Sequence, residues 1–191
     1  GGVRIISAPH YTLKYVQRWI YDNILSKVKV NYCAHGFRPK KSIVTNAKIH
    51  VENKFLLKLD LKDFFPSISI NQVINVFKDL GYSNHVSFFL SAICCVEEHL
   101  PQGAPTSPAL SNIIAHHLDN RLLGLAKKMG YRYTRYADDL AFSGESIKPD
   151  FTKYVAKIII ECGFDINVAK IKLYKGNGAK ILTGVSLSLI H

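Results

Sequence analysis

Two adjacent carboxylates, set in an apolar and strand-forming segment, are the residues best suited to chemistry in this chain. Asp138 and Asp139 follow Tyr136-Ala137, and aromatic residues flank the four on both sides. Two carboxylates about 4 Å apart repel each other by roughly 4 kcal/mol at an effective dielectric near 20. A bound cation offsets this repulsion, and hard divalent ions prefer carboxylate oxygens. On these residues alone, an ordinary solvated hairpin turn is as good an interpretation as a metal site.

A second acidic position lies about 80 residues upstream. Asp60 stands near the end of the apolar run Phe55–Leu61, which predicts a buried strand. A buried carboxylate is costly unless it is paired or bound to a metal. If this strand lies beside the Asp138 hairpin, three carboxylates converge on two Mg²⁺ ions, the arrangement used for in-line phosphoryl transfer. The alternative is that Asp60 or Asp63 caps a helix or pairs with Lys58.

A third feature is the loop that runs from residue 100 to residue 110. Its glycine and prolines make a rigid segment that leads into a predicted helix. Backbone amides at such a helix start can approach a nucleotide or a template phosphate closely. The alternative is a plain helix-entry loop with prolines in the first turn, which is common in proteins. That alternative does not predict Gln102-Gly103 beside the prolines.

The hydrophobic pattern predicts the elements that position these residues. A tight hairpin carries the Asp138-Asp139 pair, and a capping box at Ser69–Gln72 opens a helix that closes at Gly81. The first helix is predicted over residues 12–27, and its apolar stripe consists of Leu13, Val16, Trp19, Ile20 and Ile24. Further helices are predicted over residues 43–50, 86–96, 108–129 and 150–162, with strand-like segments at 171–174 and 181–187. The predicted fold class is α+β, a small antiparallel sheet that bears the acids and is backed by helices.

The amino-acid composition limits the classes of partner that this chain is expected to bind. The chain of 191 residues has 25 Lys+Arg against 14 Asp+Glu, a net charge of +11, which favours a polyanionic partner such as nucleic acid. There is no 18-residue apolar run and no basic amphipathic helix with a lipid-facing side, so no membrane partner is expected. The four cysteines lack Cys-x-x-Cys spacing, which favours buried thiols in a reducing cytosol.

Three motifs resemble those of reverse transcriptases in their order and spacing. They are Asp60-x-x-x-x-Phe65, the Leu-Pro-Gln-Gly-x-Pro-x-Ser-Pro run from residue 100, and Tyr-x-Asp-Asp from residue 136. Upstream, His35-Gly36-Phe37, Ser42-Ile43 and Asn46-Ala47-x-x-His50 are similar to the bacterial retron branch of that superfamily. Leu182-Thr183-Gly184 departs by one residue from the Val-Thr-Gly of that branch. The resemblance covers nearly the whole chain and implies a polymerase palm with partial fingers.

The resemblance also implies roles for individual residues. The catalytic and metal-binding set is Asp60, Asp138 and Asp139, with the carbonyl of Leu61. The nucleotide-binding set is Arg4, Asp63, Phe64, Phe65, Gln102 and Gly103, in which Phe65 excludes a ribose 2′-OH. The basic cluster Arg38, Lys40 and Lys41, with Tyr136, is the candidate RNA contact. Lys170 matches a lysine that protonates the leaving pyrophosphate, while a solvated surface lysine remains the alternative.

The expected organisation is partial fingers over residues 1–55 and a palm over 56–191, with a fingers insertion within about 70–105 and no thumb. The expected function is that of an RNA-directed DNA polymerase of the retron type in the bacterial cytoplasm, which uses two Mg²⁺ ions, with Mn²⁺ as a substitute. Its expected partners are a structured RNA template and primer, the RNA–DNA hybrid, dNTPs and an effector protein of a defence system. The alternatives are a phage-defence or group II intron-like reverse transcriptase, and a truncated palm that binds RNA without turnover.

Overall fold

The computed structural model describes residues 6–176 and 180–187, and it has the predicted α+β composition. The chain divides into two compact units. We call Gly1–Val30 with Asp63–Ala115 the helical unit, and Asn31–Lys62 with His116–His191 the sheet unit. The division into fingers and palm stays a prediction.

The sheet unit is built around one central strand, β1 (Phe55–Lys62), most of whose residues are buried. On one side β1 pairs antiparallel with β3 (Asp139–Gly144), which in turn pairs with β2 (Arg132–Tyr136) in the predicted hairpin. On the other side β1 pairs antiparallel with β4 (Asp165–Ile166) and with β5 (Lys172–Tyr174). The strand that carries Asp60 therefore lies beside the hairpin that carries Asp138, as the sequence analysis supposed.

Helices and a second hairpin cover this sheet. The helices are α2 (Ile43–Lys48), α6 (His116–Lys128) and α7 (Phe151–Glu161), and a 3₁₀ turn spans Val168–Lys170. Helix α7 buries Phe151, Val155 and Ile159, three residues on one face of the helix. The second hairpin joins β6 (Lys180–Leu182) to β7 (Val185–Leu187). Its residues Leu182 and Leu187 form one hydrophobic cluster with Ala47, Leu56 and Ala141.

The helical unit contains α1 (Tyr11–Asn23), a 3₁₀ turn over Leu25–Lys27, α3 (Ile70–Asp79), α4 (Asn84–Cys94) and α5 (Ser107–Ile114). The predicted capping box opens α3: the Gln72 N–H donates to Ser69 Oγ at 3.4 Å, and the Ser69 N–H donates to Gln72 Oε1 at 2.9 Å. Gly81, with φ 94°, follows the end of the helix as predicted. In the described part of the chain, no helix is long and apolar enough to cross a membrane.

The predicted single helix over residues 108–129 is wrong, because two helices occupy this stretch. Helix α5 ends at Ile114, Ala115 takes ψ −1°, and α6 begins at His116. At that ψ the Ala115 carbonyl turns out of the helical direction, so the hydrogen-bond ladder is interrupted. The apolar periodicity continues through the break, which is why the pattern predicted one element.

Two smaller predictions also differ from the structure. In α1 the predicted apolar stripe is wrong in part: Ile20 is buried, whereas Leu13, Val16 and Trp19 are exposed. The buried neighbour of Ile20 is Gln17, whose side-chain amide donates to the Ile93 carbonyl at 2.8 Å. The tail segment 181–187 is not one strand, because the chain reverses at Thr183-Gly184, where both residues have positive φ.

Candidate active site

The three predicted catalytic acids lie together at one end of the β1–β3 pair. Asp60 and Asp139 are direct partners in the antiparallel register, so their side chains point to the same face of the sheet. Asp138 belongs to the two-residue turn of the hairpin, next to Ala137, whose φ is 54°. The Leu61 N–H donates to the Asp138 carbonyl at 2.9 Å, which ties this turn to β1.

Lysines compensate the negative charge at this end of the sheet. Asp60 is 7% exposed, and Lys170 Nζ donates to its two oxygens at 2.9 and 3.0 Å. Burial raises the pKa of Asp139, and the charges of Asp138 and Asp60 raise it further, while Lys58 opposes them. Lys58 Nζ lies 3.9 Å from Asp139 Oδ1, so in the described structure Lys58 pairs with Asp139 rather than with Asp60. Asp60 and Asp139 therefore each have a lysine ammonium group beside them.

A small cavity opens beside these acids within the sheet unit. Its volume is about 220 Å³, enough for an ion with part of its hydration shell or for a phosphate group. Two carboxylates and three lysine side chains line this cavity. The residues that line it are Lys58, Leu59, Asp60, Asp139, Lys170, Lys172, Tyr174 and Ile181.

The chemistry of these donors fits a divalent cation. Carboxylate oxygens are hard ligands, and a cation near Asp139 would offset the burial and the neighbouring negative charges that raise the pKa of Asp139. Within residues 6–176 and 180–187, no group of three His, Cys, Asp or Glu side chains is positioned so that it could hold a metal ion. Lys170 instead occupies the oxygens of Asp60. A metal ion at Asp60 therefore competes with the Lys170 ammonium group for the same carboxylate.

Behind the hairpin lies a buried polar cluster that the sequence analysis missed. Arg135 donates to Asp119 from Nε at 2.9 Å and from Nη2 at 2.8 Å, and both side chains are fully buried. The Tyr133 hydroxyl donates to the same carboxylate at 3.0 Å. Burial acts to lower the pKa of Arg135, but Asp119 outweighs it and the pKa is raised. A sequence signal was present, because Asp119 lies beside Leu118 and shares the buried face of α6 with Leu122.

The loop that precedes α2 packs along β2 and carries the predicted RNA-contact residue Arg38. The His35 N–H donates to the Arg135 carbonyl at 2.7 Å, and the Arg135 N–H donates to the Cys33 carbonyl at 2.9 Å. Arg38 Nη1 donates to the carbonyls of Asn31 and Ala34 at 2.7 and 3.2 Å, so its guanidinium stabilises this loop.

The other predicted RNA contacts are more accessible. Lys40 is exposed, Lys41 is half-buried, and Tyr136 is half-buried at the end of β2 opposite Asp139. The RNA-binding role of these residues and of Arg38 stays a prediction.

The predicted nucleotide-binding residues belong to the helical unit. Asp63 has a φ of 47°, Phe64 is buried, and Phe65 is half-buried. The Ser67 N–H donates to the Asp63 carbonyl at 2.7 Å, so residues 63–67 form a tight turn. The rings of Phe64 and Phe65 lie 5.6 Å apart.

The loop that contains Gln102 is held from within the same unit. The Ser7 N–H donates to the Gln102 carbonyl at 2.8 Å. Gly103 has a φ of 116°, and a Cβ on it would lie 3.1 Å from the Ser7 carbonyl oxygen, so only glycine fits there without strain. Arg4, the remaining predicted nucleotide ligand, lies outside the described residues.

Comparisons with known proteins bear on this site. The family model described as reverse transcriptase (RNA-dependent DNA polymerase) matches residues 1–184. The retron Mx65 reverse transcriptase of Myxococcus xanthus is 41% identical over 98% of this chain and 49% of its own length. The retron Ec86 reverse transcriptase of Escherichia coli is 40% identical over 97% of this chain and 59% of its own length. The chain thus spans about half the length of these curated relatives.

A solved structure shares the fold at low sequence identity. It is that of telomerase from Candida albicans in complex with the TWJ fragment of telomeric RNA. The TM-score is 0.59 at 10% identity, over 92% of this chain and 36% of that one. This likeness, together with the matched family model, confirms the predicted fold class.

Proposed function

Because this chain belongs to the reverse transcriptase family and is of the retron type, we propose that it is an RNA-directed DNA polymerase that extends a primer on a structured RNA template. The observation that carries the proposal is the pairing of Asp60 with Asp139 across β1 and β3, with Asp138 tied to Leu61 beside them. Asp60 and Asp139 line one cavity and Asp138 lies in the adjoining turn, and carboxylates that converge from two chain segments in this way suit phosphoryl transfer.

Divalent metal ions are general to this family, and we propose two Mg²⁺ ions here, with Mn²⁺ as a substitute. Asp60, Asp138 and Asp139 would hold them with the Leu61 carbonyl. Bound there, such ions would neutralise phosphate charge and activate the attacking hydroxyl. The carboxylates of this chain would fix where the ions sit, since the two-residue turn ends with Asp138 directly before Asp139, the cross-strand partner of Asp60.

Lys170 is the proposed proton donor to the leaving pyrophosphate. Its ammonium group lies at the wall of the cavity, on the Asp60 carboxylate. A group that moves a proton must lie within hydrogen-bond reach of the atom that accepts it. A phosphate in the cavity would lie within reach of Lys170, which supports this role over that of a solvated surface lysine.

The incoming dNTP is proposed to use the residues of the helical unit. The backbone amides of Asp63 and Phe64 would support the triphosphate, since residues 63–67 form a tight turn. The Phe65 ring would exclude a ribose 2′-OH. Gln102 and Gly103 would meet the nucleotide and template, and Arg4 would grip the triphosphate.

The RNA template and the RNA–DNA hybrid are proposed to contact Arg38, Lys40, Lys41 and Tyr136. The net charge of +11 supports a polyanionic partner. We also propose partial fingers over residues 1–55 and a palm over 56–191 with a fingers insertion within about 70–105. A bacterial cytoplasmic location and an effector protein of a defence system as a further partner are proposed as well.

Primer extension tests this function. With poly(rA)/oligo(dT), dTTP and Mg²⁺, wild-type protein is expected to extend the primer and Asp138→Asn to lose this activity. Glu145→Gln is the matched control, since it makes the same carboxyl-to-amide change at an exposed position of the sheet unit. RNA binding by the wild type without any extension would contradict the polymerase and favour a palm that binds RNA without turnover.

A further inference from the structure

We infer that the buried Asp119–Arg135–Tyr133 cluster has a positioning role beyond stabilising the core. It fixes the backbone conformation of the turn Ala137-Asp138, which we call the acidic turn. The inference rests on the proposed function, because it concerns the same acids. None of the three residues touches the cavity beside Asp60. They act through the backbone of Ala137, the residue that precedes the two acids.

The geometry shows how the cluster reaches the turn. Asp119 accepts from Nε and Nη2 of Arg135, so two parallel hydrogen bonds fix the plane of the guanidinium. The Tyr133 hydroxyl also donates to Asp119 and so fixes the orientation of its carboxylate. Held in this plane, Arg135 donates from Nη1 to the Ala137 carbonyl at 3.2 Å.

The backbone conformation of Ala137 requires support from the surrounding structure. Ala137 takes a φ of 54°, a region that residues with a Cβ seldom adopt without support from their surroundings. The nitrogen of the same residue is also closely packed, since a Cβ on Gly36 would lie 2.6 Å from it. Arg135 therefore holds the Ala137 carbonyl while the Gly36 backbone confines the Ala137 nitrogen, and the next carbonyl, that of Asp138, accepts from the Leu61 N–H.

Stability alone does not account for the cluster. A buried ion pair pays a large desolvation penalty, and well-packed apolar side chains of similar volume are often as stable or more so. What apolar side chains cannot provide is a directed N–H at the Ala137 carbonyl. The positioning role and a purely structural role therefore predict different behaviour for an apolar replacement of the whole cluster.

The decisive variant replaces all three polar groups at once, Asp119→Leu with Tyr133→Phe and Arg135→Met, so that no buried charge or hydroxyl is left unpaired. We expect its melting temperature to stay within a few degrees of wild type. We expect the Leu61 amide, followed by NMR, to exchange its hydrogen at least tenfold faster. We also expect kcat to fall at least tenfold with little change in KM for dTTP, and Mn²⁺ to bind at least threefold more weakly.

The matched control makes the same kind of change in a cluster that does not touch the turn. His50 contacts Ser143 Oγ at 2.6 Å and Thr134 Oγ1 at 2.7 Å, all within the same sheet unit. The variant His50→Leu with Thr134→Val and Ser143→Ala should leave Leu61 exchange and kcat close to wild type.

A second variant keeps the test valid if the triple variant fails to fold. Arg135→Lys preserves the charge opposite Asp119 but removes the planar fork that reaches Ala137, and it should show the same change in Leu61 exchange. Wild-type exchange, Mn²⁺ affinity and kcat in a folded variant would overturn the inference. If the wild-type protein extends no primer, the proposed function fails, whereas Leu61 exchange and Mn²⁺ affinity still decide the positioning role.

Discussion

At the scale of single residues, the site is a set of carboxylates whose charge is shared with lysines. Lys170 lies on both oxygens of Asp60, and Lys58 lies beside Asp139. The acids themselves could be predicted, because each stands out locally in an apolar strand or hairpin. The Asp119–Arg135 ion pair could not be predicted from the sequence, because the two residues are 16 positions apart and meet only through the packing of α6 on β2.

The Lys170 contact leads to a prediction in which binding and turnover move in opposite directions. Lys170→Ala should strengthen Mn²⁺ binding at the acids, because the competing ammonium group is removed from Asp60. It should also lower kcat by roughly 10²- to 10⁴-fold, the usual contribution of a positioned proton donor. Titration with Mn²⁺ followed by electron paramagnetic resonance, together with primer extension, measures both effects.

The control for this prediction is Lys172→Ala, which removes an ammonium group from the wall of the same cavity. Its effect on kcat should be much smaller than that of Lys170→Ala. Equal losses in the two variants would mean that Lys170 contributes only positive charge to the cavity.

At the scale of elements, local signals predicted structure well and tertiary constraints escaped them. The capping box at Ser69 and the Asp138 hairpin depend on residues a few positions apart, and both are present. The break at Ala115 is set by backbone geometry that the apolar periodicity does not encode. The tie between the Gln102 loop and Ser7 joins distant segments and has no local signature.

The close packing of the loop behind the hairpin predicts opposite effects for two glycine substitutions. Gly36→Ala places a Cβ 2.6 Å from the Ala137 nitrogen, so the turn or the loop must shift. We expect a loss of about 1–3 kcal/mol in the free energy of unfolding, as for other overpacked sites, and a lower kcat. Urea unfolding and primer extension measure the two effects.

Gly124→Ala is the matched control. A Cβ at Gly124 meets nothing within 4 Å, and the residue lies inside α6. This variant should gain about 0.5–1 kcal/mol, because alanine is the better helix former. If Gly36→Ala were as stable and as active as Gly124→Ala, the close approach to the acidic turn would have no consequence.

At the scale of the whole molecule, the sheet unit depends on a histidine that is buried without charge. His50 is fully buried and contacts the hydroxyls of Ser143 and Thr134. Burial lowers its pKa to about 3, and the neighbouring His35 and Arg132 act in the same direction. Between pH 6.5 and pH 3 the unfolded chain therefore binds a proton at His50 that the folded chain does not, and stability falls as the pH falls.

This linkage predicts a measurable difference between variants. His50→Gln should be less stable than wild type at pH 7, because it disturbs buried hydrogen bonds. Its further loss of stability between pH 7 and pH 5 should be smaller by about 2 kcal/mol, since one proton contributes at most about 1.4 kcal/mol per pH unit. Urea unfolding at the two pH values provides the comparison. The control is His85→Gln, a substitution at an exposed position of α4, whose stability should change with pH as that of the wild type does. A wild-type pH dependence of stability in His50→Gln would contradict the linkage to His50.

We propose that Asp60, Asp138 and Asp139 form one metal-dependent polymerase centre. Single-nucleotide primer extension across a Mg²⁺ titration, by wild type and by Asp60→Asn at equal protein concentration, tests whether the acids act as such a centre. We predict that wild type extends only when a divalent ion is present and that Asp60→Asn is slower by at least about 100-fold, equivalent to about 2.7 kcal/mol of barrier. Extension without a divalent ion, or at the wild-type rate in Asp60→Asn, would contradict it.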